Sequence, residues 1–187
     1  MYYNEEELKN LGFDSVGKNT RISKKAVFHG IKDGKIGNSV RIDDFVSIKG
    51  AIDIGNFVHI ASFCLISGTG GKVTFEDFSG TASHCSFHTA IEDFINPTLT
   101  SPSIDSSYST IISGGITLGE GSKLGSGCIV MPGTSIGMAA TASAGTIISR
   151  NVNDGAVIGP KHRHFKIYGY RDISTIKKIK NDFNENI

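Results

Sequence analysis

Residues 36–66 read IGNSVRIDDFVSIKGAIDIGNFVHIASFCLI, and within them an isoleucine returns at every sixth position: Ile36, Ile42, Ile48, Ile54, Ile60 and Ile66. A fixed internal period marks a fold made by stacking one unit on the next. Six residues match neither the 3.6-residue turn of a helix nor the two-residue alternation of a half-buried strand. They do match a parallel β-helix, in which three short flat sides close each coil and every isoleucine enters a shared interior. Four residues after each large position stands a small or β-branched one, Val40, Val46, Ile52, Val58 and Cys64, which supplies a second buried column.

The period extends in both directions. Downstream it runs Leu118, Leu124, Val130, Ile136, Ala142 and Ile148, with Ser122, Cys128, Thr134, Ala140, Thr146 and Val152 in the small column. Upstream it is ragged, at Val16, Ile22 and Phe28. Glycine follows the large residue at Gly37, Gly55, Gly119, Gly125 and Gly137, where a corner needs a positive φ or a close backbone approach. The expected chain is mainly β, with a capping helix over 1–15, a β-helix over 16–160 and an extension with a helix over 161–187. Asn4 before Glu5, Glu6 and Glu7 reads as the N-cap of the first helix. In the last, Ile173, Ile176, Ile179 and Phe183 share a face opposite Lys177, Lys178 and Lys180.

Nineteen basic residues against eighteen acidic ones give a net charge of +1, and no dense basic block precedes the C-terminal segment. Nucleic acid is therefore not an expected partner. The start MYYNEEELKNLGF lacks the basic and apolar regions of a signal peptide, and no apolar run of about 18 residues occurs, so the expectation is a soluble cytoplasmic protein with no membrane partner. Three cysteines at wide spacing, Cys64, Cys85 and Cys128, fit neither a disulfide framework nor a zinc motif. Two stand in the small column, and Cys85 joins them if the register restarts at Phe75, Thr81 and Phe87.

The recurring order of aliphatic residue, glycine, two variable residues and a small residue resembles the hexapeptide acyltransferase family over roughly residues 16 to 160. The stretches YYNEEELKNLGF, IGNSVRIDDFVSIKG and FEDFSG look like sugar acetyltransferases of the galactoside and surface-polysaccharide type. The resemblance implies a left-handed β-helix and a homotrimer with sites at its three subunit interfaces. It also implies transfer of an acetyl group from acetyl-CoA to a hydroxyl or amine of a sugar or nucleotide-linked sugar, without a metal.

Function is sought where the period fails. Between Ile66 and Phe75 lie nine residues instead of six, so SGTGGKV inserts either a glycine-rich bulge or a plain surface turn. After Phe87 the period vanishes until about Ile112, across HTAIEDFINPTLTSPSIDSSYST. A long excursion from a regular scaffold, here a projecting loop over 88–111, is commonly functional. It resembles the family's catalytic loop, in which a histidine is followed by acidic residues and an asparagine. The matching residues are His88, then Glu92 or Asp93, then Asn96 as an acceptor contact. Acyl transfer needs a base near neutrality, which histidine supplies, and a carboxylate can orient the ring. His84, four residues earlier, competes for the role. His59 should point outward, to solvent or into a neighbouring subunit's site.

In the resembling family CoA lies along a corner between subunits, and the matching stretch 137–145, GMAATASAG, is built of small residues. The resemblance suggests Ser143 and Ala144 as contacts, with the corner glycine Gly125; simple corner packing explains the same residues. After the last coil the chain reads IGPKHRHFKI, where family members carry Gly-x-Pro-Ala. Lys161, Arg163 and Lys166 there either meet the CoA phosphates or form a solvated basic turn. Two other classes stay in view. A zinc hydratase on the same coil needs three imidazoles across an interface. His59, His84 and His88 are the candidates, although His84 and His88 are four apart and that family spaces its pair by five. A non-catalytic β-helix scaffold is the third class.

Overall fold

Two extended residues and a four-residue corner make up each unit, and three units close one turn. The computed structural model describes residues 1–93, 95, 103, 105–161, 164–170, 172–175, 177, 178 and 181, and winds them into a β-solenoid of about 7 turns. The first side stacks 21–22, 41–42, 59–60, 80–81, 123–124, 141–142 and 156–161. On the second lie 27–29, 47–49, 65–67, 86–88, 129–130 and 147–148. The third holds 13–16, 34–36, 52–54, 73–75, 116–118 and 135–136. All neighbours within these sides run parallel except at the C-terminal end. The six isoleucines fall on the three sides in rotation, and each is 3% exposed or less. The small column is buried as well, Cys64, Cys85 and Cys128 included.

Corners are built differently from the sequence expectation. Glycine serves at some, but Phe45, Phe57, Phe63, Phe78 and His84 hold φ between 57° and 63°, a region that bulky residues avoid. Stacking between successive turns holds them there: Phe57 lies on Phe78 with centroids 4.8 Å apart, and Phe45 on Phe63 at 5.0 Å. Glycine is required where turns nearly touch, since a Cβ on Gly37 would sit 2.5 Å from the backbone carbon of Gly55.

One corner is held by a side-chain ladder. Asn38 Oδ1 accepts from Lys18 N, Asn56 Oδ1 from Asn38 N and Asp77 Oδ1 from Asn56 N, each at 2.8 Å. Replacing Asn56 by alanine leaves the Asn38 N–H without its acceptor and removes the Asn56 donors to Asp77. A loss of about 1–2 kcal/mol in urea unfolding is expected, and Asn56→Asp, which keeps the acceptor, should lose less.

Helix Glu5–Asn10 begins at Asn4, whose side chain accepts from Glu7 N while Glu7 reaches back to Asn4 N. It lays Leu8 on the open end of the coil, fully buried. At the other end 156–161 folds back antiparallel on 164–170, so the basic stretch enters a hairpin that the period gave no sign of. Residues 173–175, 177, 178 and 181 are helical.

The first break is a seat rather than a free turn. Residues 65–75 form one continuous strand beside 47–54, and the extra residues fall between Gly68 and Val73. Thr89, fully buried, binds them: its hydroxyl donates to Ser67 O at 2.7 Å and accepts from Gly70 N at 3.0 Å. Above it Ala90–Glu92 pairs antiparallel with Ile111–Ser113 in a two-stranded ribbon.

Candidate functional site

The corner between the first and second sides changes character halfway along. Its lower part carries a ladder: Lys25 Nζ lies 5.3 Å from the Phe45 ring centre, Phe45 stacks on Phe63, and Phe63 stacks on His84 at 5.0 Å with planes 3° apart. One turn higher the corner residue is Gly127, and above that Gly145. Neither has any atom within 4 Å of where a Cβ would stand. Backbone bonds join the turns, Gly127 N to Ser83 O at 3.0 Å and Gly145 N to Ser126 O at 2.9 Å. The upper corner is thus an open track over Ser126, Gly127, Ala144 and Gly145 that stops at Ser83 and the His84 ring.

Ser143 and Ala144 flank this track and are exposed. Gly125 is bare for another reason: a Cβ there would meet Ala144 N at 2.5 Å, so the turn above uses the space.

Beside the track, on the first side, lies a cleft of about 550 Å³, within the usual range of small-molecule sites. Gly80 and Ala82 form its floor, Phe57 and Phe78 one wall, and Ser83 and Ser126 the edge shared with the open corner. His59 stands at the lower lip and Lys123 at the upper. His59 Nε2 is 2.9 Å from Asp43 Oδ2, while Arg41 Nε donates to Asp43 Oδ1 at 2.7 Å. Burial raises the Asp43 pKa, but the hydrogen bonds from His59 and Arg41 outweigh it and hold the carboxyl below its ordinary value. Among the described residues Lys123 makes no ion pair.

The loop residues stand elsewhere. His88 ends 86–88 on the second side, half-buried, opposite Ser67. Glu92 lies in the ribbon opposite Ile111. Asp93, 9% exposed, donates its N–H to Thr110 O at 2.9 Å and accepts from Ile95 N on Oδ1 at 2.8 Å. Among the described residues no ion pair joins His88 to Glu92 or Asp93. At most about 13 Å of extended chain separates His84 from His88: His84 stands at the corner that opens the second side and His88 at that side's far end. Asn96 and Arg163 lie outside the described residues, as do the side chains of Lys161 and Lys166.

The cysteines donate to the turn above, Cys64 to Ala82 O, Cys85 to Gly125 O and Cys128 to Ser143 O, at 3.1–3.3 Å. The sulfurs of Cys128 and Cys64, with burial, push the Cys85 thiol far up. A bond from that thiol would bring Cys64 down to about 6 and Cys128 to about 7. Its one proton already faces Gly125 O, so burial decides and all three remain unreactive thiols.

Sequence reasoning missed Ser83, Lys123 and the Arg41–Asp43 pair. A signal for the pair was present: His59 follows Arg41 by eighteen residues, one full turn, which stacks them on the same side. Among the described residues no three His, Cys, Asp or Glu side chains gather to hold a metal, and no helix is long and apolar enough to cross a membrane.

No family model matches the chain. It is 40% identical over 134 residues, 70% of this chain and 69% of the other, to the dTDP-4-amino-4,6-dideoxy-D-glucose acyltransferase of Escherichia coli. Among solved structures it is similar to AntD, an N-acyltransferase from Bacillus cereus, at 31% identity. A serine-to-threonine variant with dTDP and coenzyme A superposes with a TM-score of 0.93 over 100% of this chain and 98% of that one. AntD with dTDP and 3-hydroxybutyryl-CoA gives 0.89 over 99% and 97%. Other AntD structures carry substitutions at an aspartate ten positions beyond that serine. A repeat that closes into this coil, and a likeness of that extent to an acyltransferase, lead to one conclusion: the chain belongs to the hexapeptide-repeat acyltransferases of the left-handed β-helix fold.

Proposed function

We propose that this enzyme transfers an acetyl group from acetyl-CoA to the amino group of a dTDP-linked 4-amino-4,6-dideoxyhexose, as a cytoplasmic homotrimer. The open corner carries the reading. Pantetheine laid over Ala144, Gly145, Ser126 and Gly127 ends with its thioester at Ser83 and His84, at the mouth of the cleft. Ser83 and Asp93 stand ten residues apart, the separation of the two positions substituted in AntD, which supports assigning both to the reaction. Within one protomer Ser83 lies at the corner and Asp93 at the end of the Ala90–Glu92 ribbon. A neighbour's loop brought against this corner would join them, and the exposed apolar residues Val27, Phe45, Phe63, Leu65 and Ile147 offer surface for such packing.

The amine nitrogen attacks the thioester carbonyl carbon and the oxyanion takes a backbone N–H. The nitrogen's proton passes to His88, which returns it to the sulfur as the oxyanion collapses and the C–S bond breaks, so CoA leaves as a thiol. Asp93 positions the amine through a charge-assisted hydrogen bond. Thiol release should therefore require a dTDP-aminosugar, with UDP-sugars and hydroxyl acceptors far slower. Acetyl-CoA should outrun 3-hydroxybutyryl-CoA. If His88→Ala kept full turnover, the base assignment would fall. Enzyme treated with a chelator should retain its rate, whereas a zinc hydratase would lose it.

The track has a direct test. Phenylalanine tolerates this corner conformation at Phe45 and Phe63, so Gly127→Phe should fold and extend the ladder over His84. CoA affinity is expected to fall at least tenfold by calorimetry, with little change in dTDP affinity.

A further inference from the structure

Resting on the dTDP-aminosugar reading, we infer that the cleft between His59 and Lys123 is the nucleoside-diphosphate pocket of that substrate: Lys123 and His59 bind the diphosphate, and the Phe57–Phe78 wall takes the pyrimidine nucleoside.

The geometry suits that chemistry. A diphosphate needs polar partners placed ahead of its arrival, and the cleft has a basic side chain on each lip. Lys123 is left without an ion pair among the described residues, available as a point charge. His59 is fixed: Nε2 is committed to Asp43 and Asp43 to Arg41, so Nδ1 is the ring nitrogen left to meet a phosphate oxygen. The floor is as bare as floors become, Gly80 and Ala82, and a Cβ on Gly80 would stand 2.9 Å from His59 O. The stacked phenylalanines give an apolar wall for a sugar and a pyrimidine. The opposite edge, Ser83 and Ser126, adjoins the open corner. A nucleotide held here therefore sends its sugar toward Ser83, where the thioester ends.

CoA also carries phosphates, so the test separates the two sources. Titrate the intact enzyme by calorimetry with dTDP, thymidine and CoA, in wild type and in Lys123→Ala, His59→Ala and Lys123→Arg. Each alanine variant should weaken dTDP at least tenfold, with thymidine and CoA within about twofold of wild type and Lys123→Arg close to wild type. Loss of CoA rather than dTDP would overturn the inference and give the pocket to the cofactor. Wild-type dTDP affinity in both alanine variants, in an enzyme still active on the aminosugar, would overturn the pocket and leave the proposed function standing. Failure of wild type itself to bind dTDP or turn over a dTDP-aminosugar would overturn both.

Discussion

Asp93→Asn is expected to lower kcat/KM for the aminosugar by about two to four orders of magnitude, the range associated with removing a group that handles a proton or a developing charge. The substitution isolates charge from structure. Asp93 is 9% exposed and accepts from Ile95 N through one oxygen, and asparagine keeps a carbonyl oxygen that can accept the same bond. Melting temperature and the affinity for CoA should therefore stay near wild type while turnover collapses. Ser83→Ala removes one hydroxyl and should cost less, about tenfold. An Asp93→Asn enzyme within fivefold of wild-type kcat/KM would exclude the carboxylate from the amine. A matched loss of activity and melting temperature would reduce it to a support of the loop.

What the sequence disclosed, and what it did not, follow one physical line. Burial of Ile36 through Ile66 obeys a fixed period because each side chain must enter the same narrow interior, so spacing alone exposes it. The loop at 88–111 is visible by the same logic, as a failure of that period. Corner aromatics are not visible this way. Phe57 and Phe78 look like strays between inward positions, and only the stacking of turns makes them one wall and holds them at positive φ. Nor does the track show in sequence as a track: Gly127 and Gly145 are two corner glycines among 23 until His84 is seen to end the ring ladder beneath them. The Arg41–Asp43–His59 chain was legible in principle, through an eighteen-residue register. The hairpin at 156–170 was not, since an edge strand that pairs backward carries no repeat.

The largest stability effect is expected from Phe87→Ala. The ring is fully buried, with its centroid 5.3 Å from that of Phe75 and the planes 57° apart, and it fills the interior directly beneath the loop root. The coils on either side are clamped by backbone bonds, Ser86 N to Cys128 O and Leu65 N to Cys85 O, both 2.9 Å, so the walls cannot close over the void. Truncation of a buried phenylalanine costs about 3–5 kcal/mol. For a chain of this size that lowers the melting temperature on the order of 10 °C. Phe87→Leu, which refills most of the volume, should recover more than half of the loss. Since turns contact mainly their neighbours, the damage concentrates at Ser86–His88 and the Thr89 anchor. Activity should then fall at temperatures where circular dichroism still reports a folded coil. A loss below about 1 kcal/mol would mean that the turns can slide together to fill the gap, and the rigid stacking inferred from the backbone ladder would be wrong.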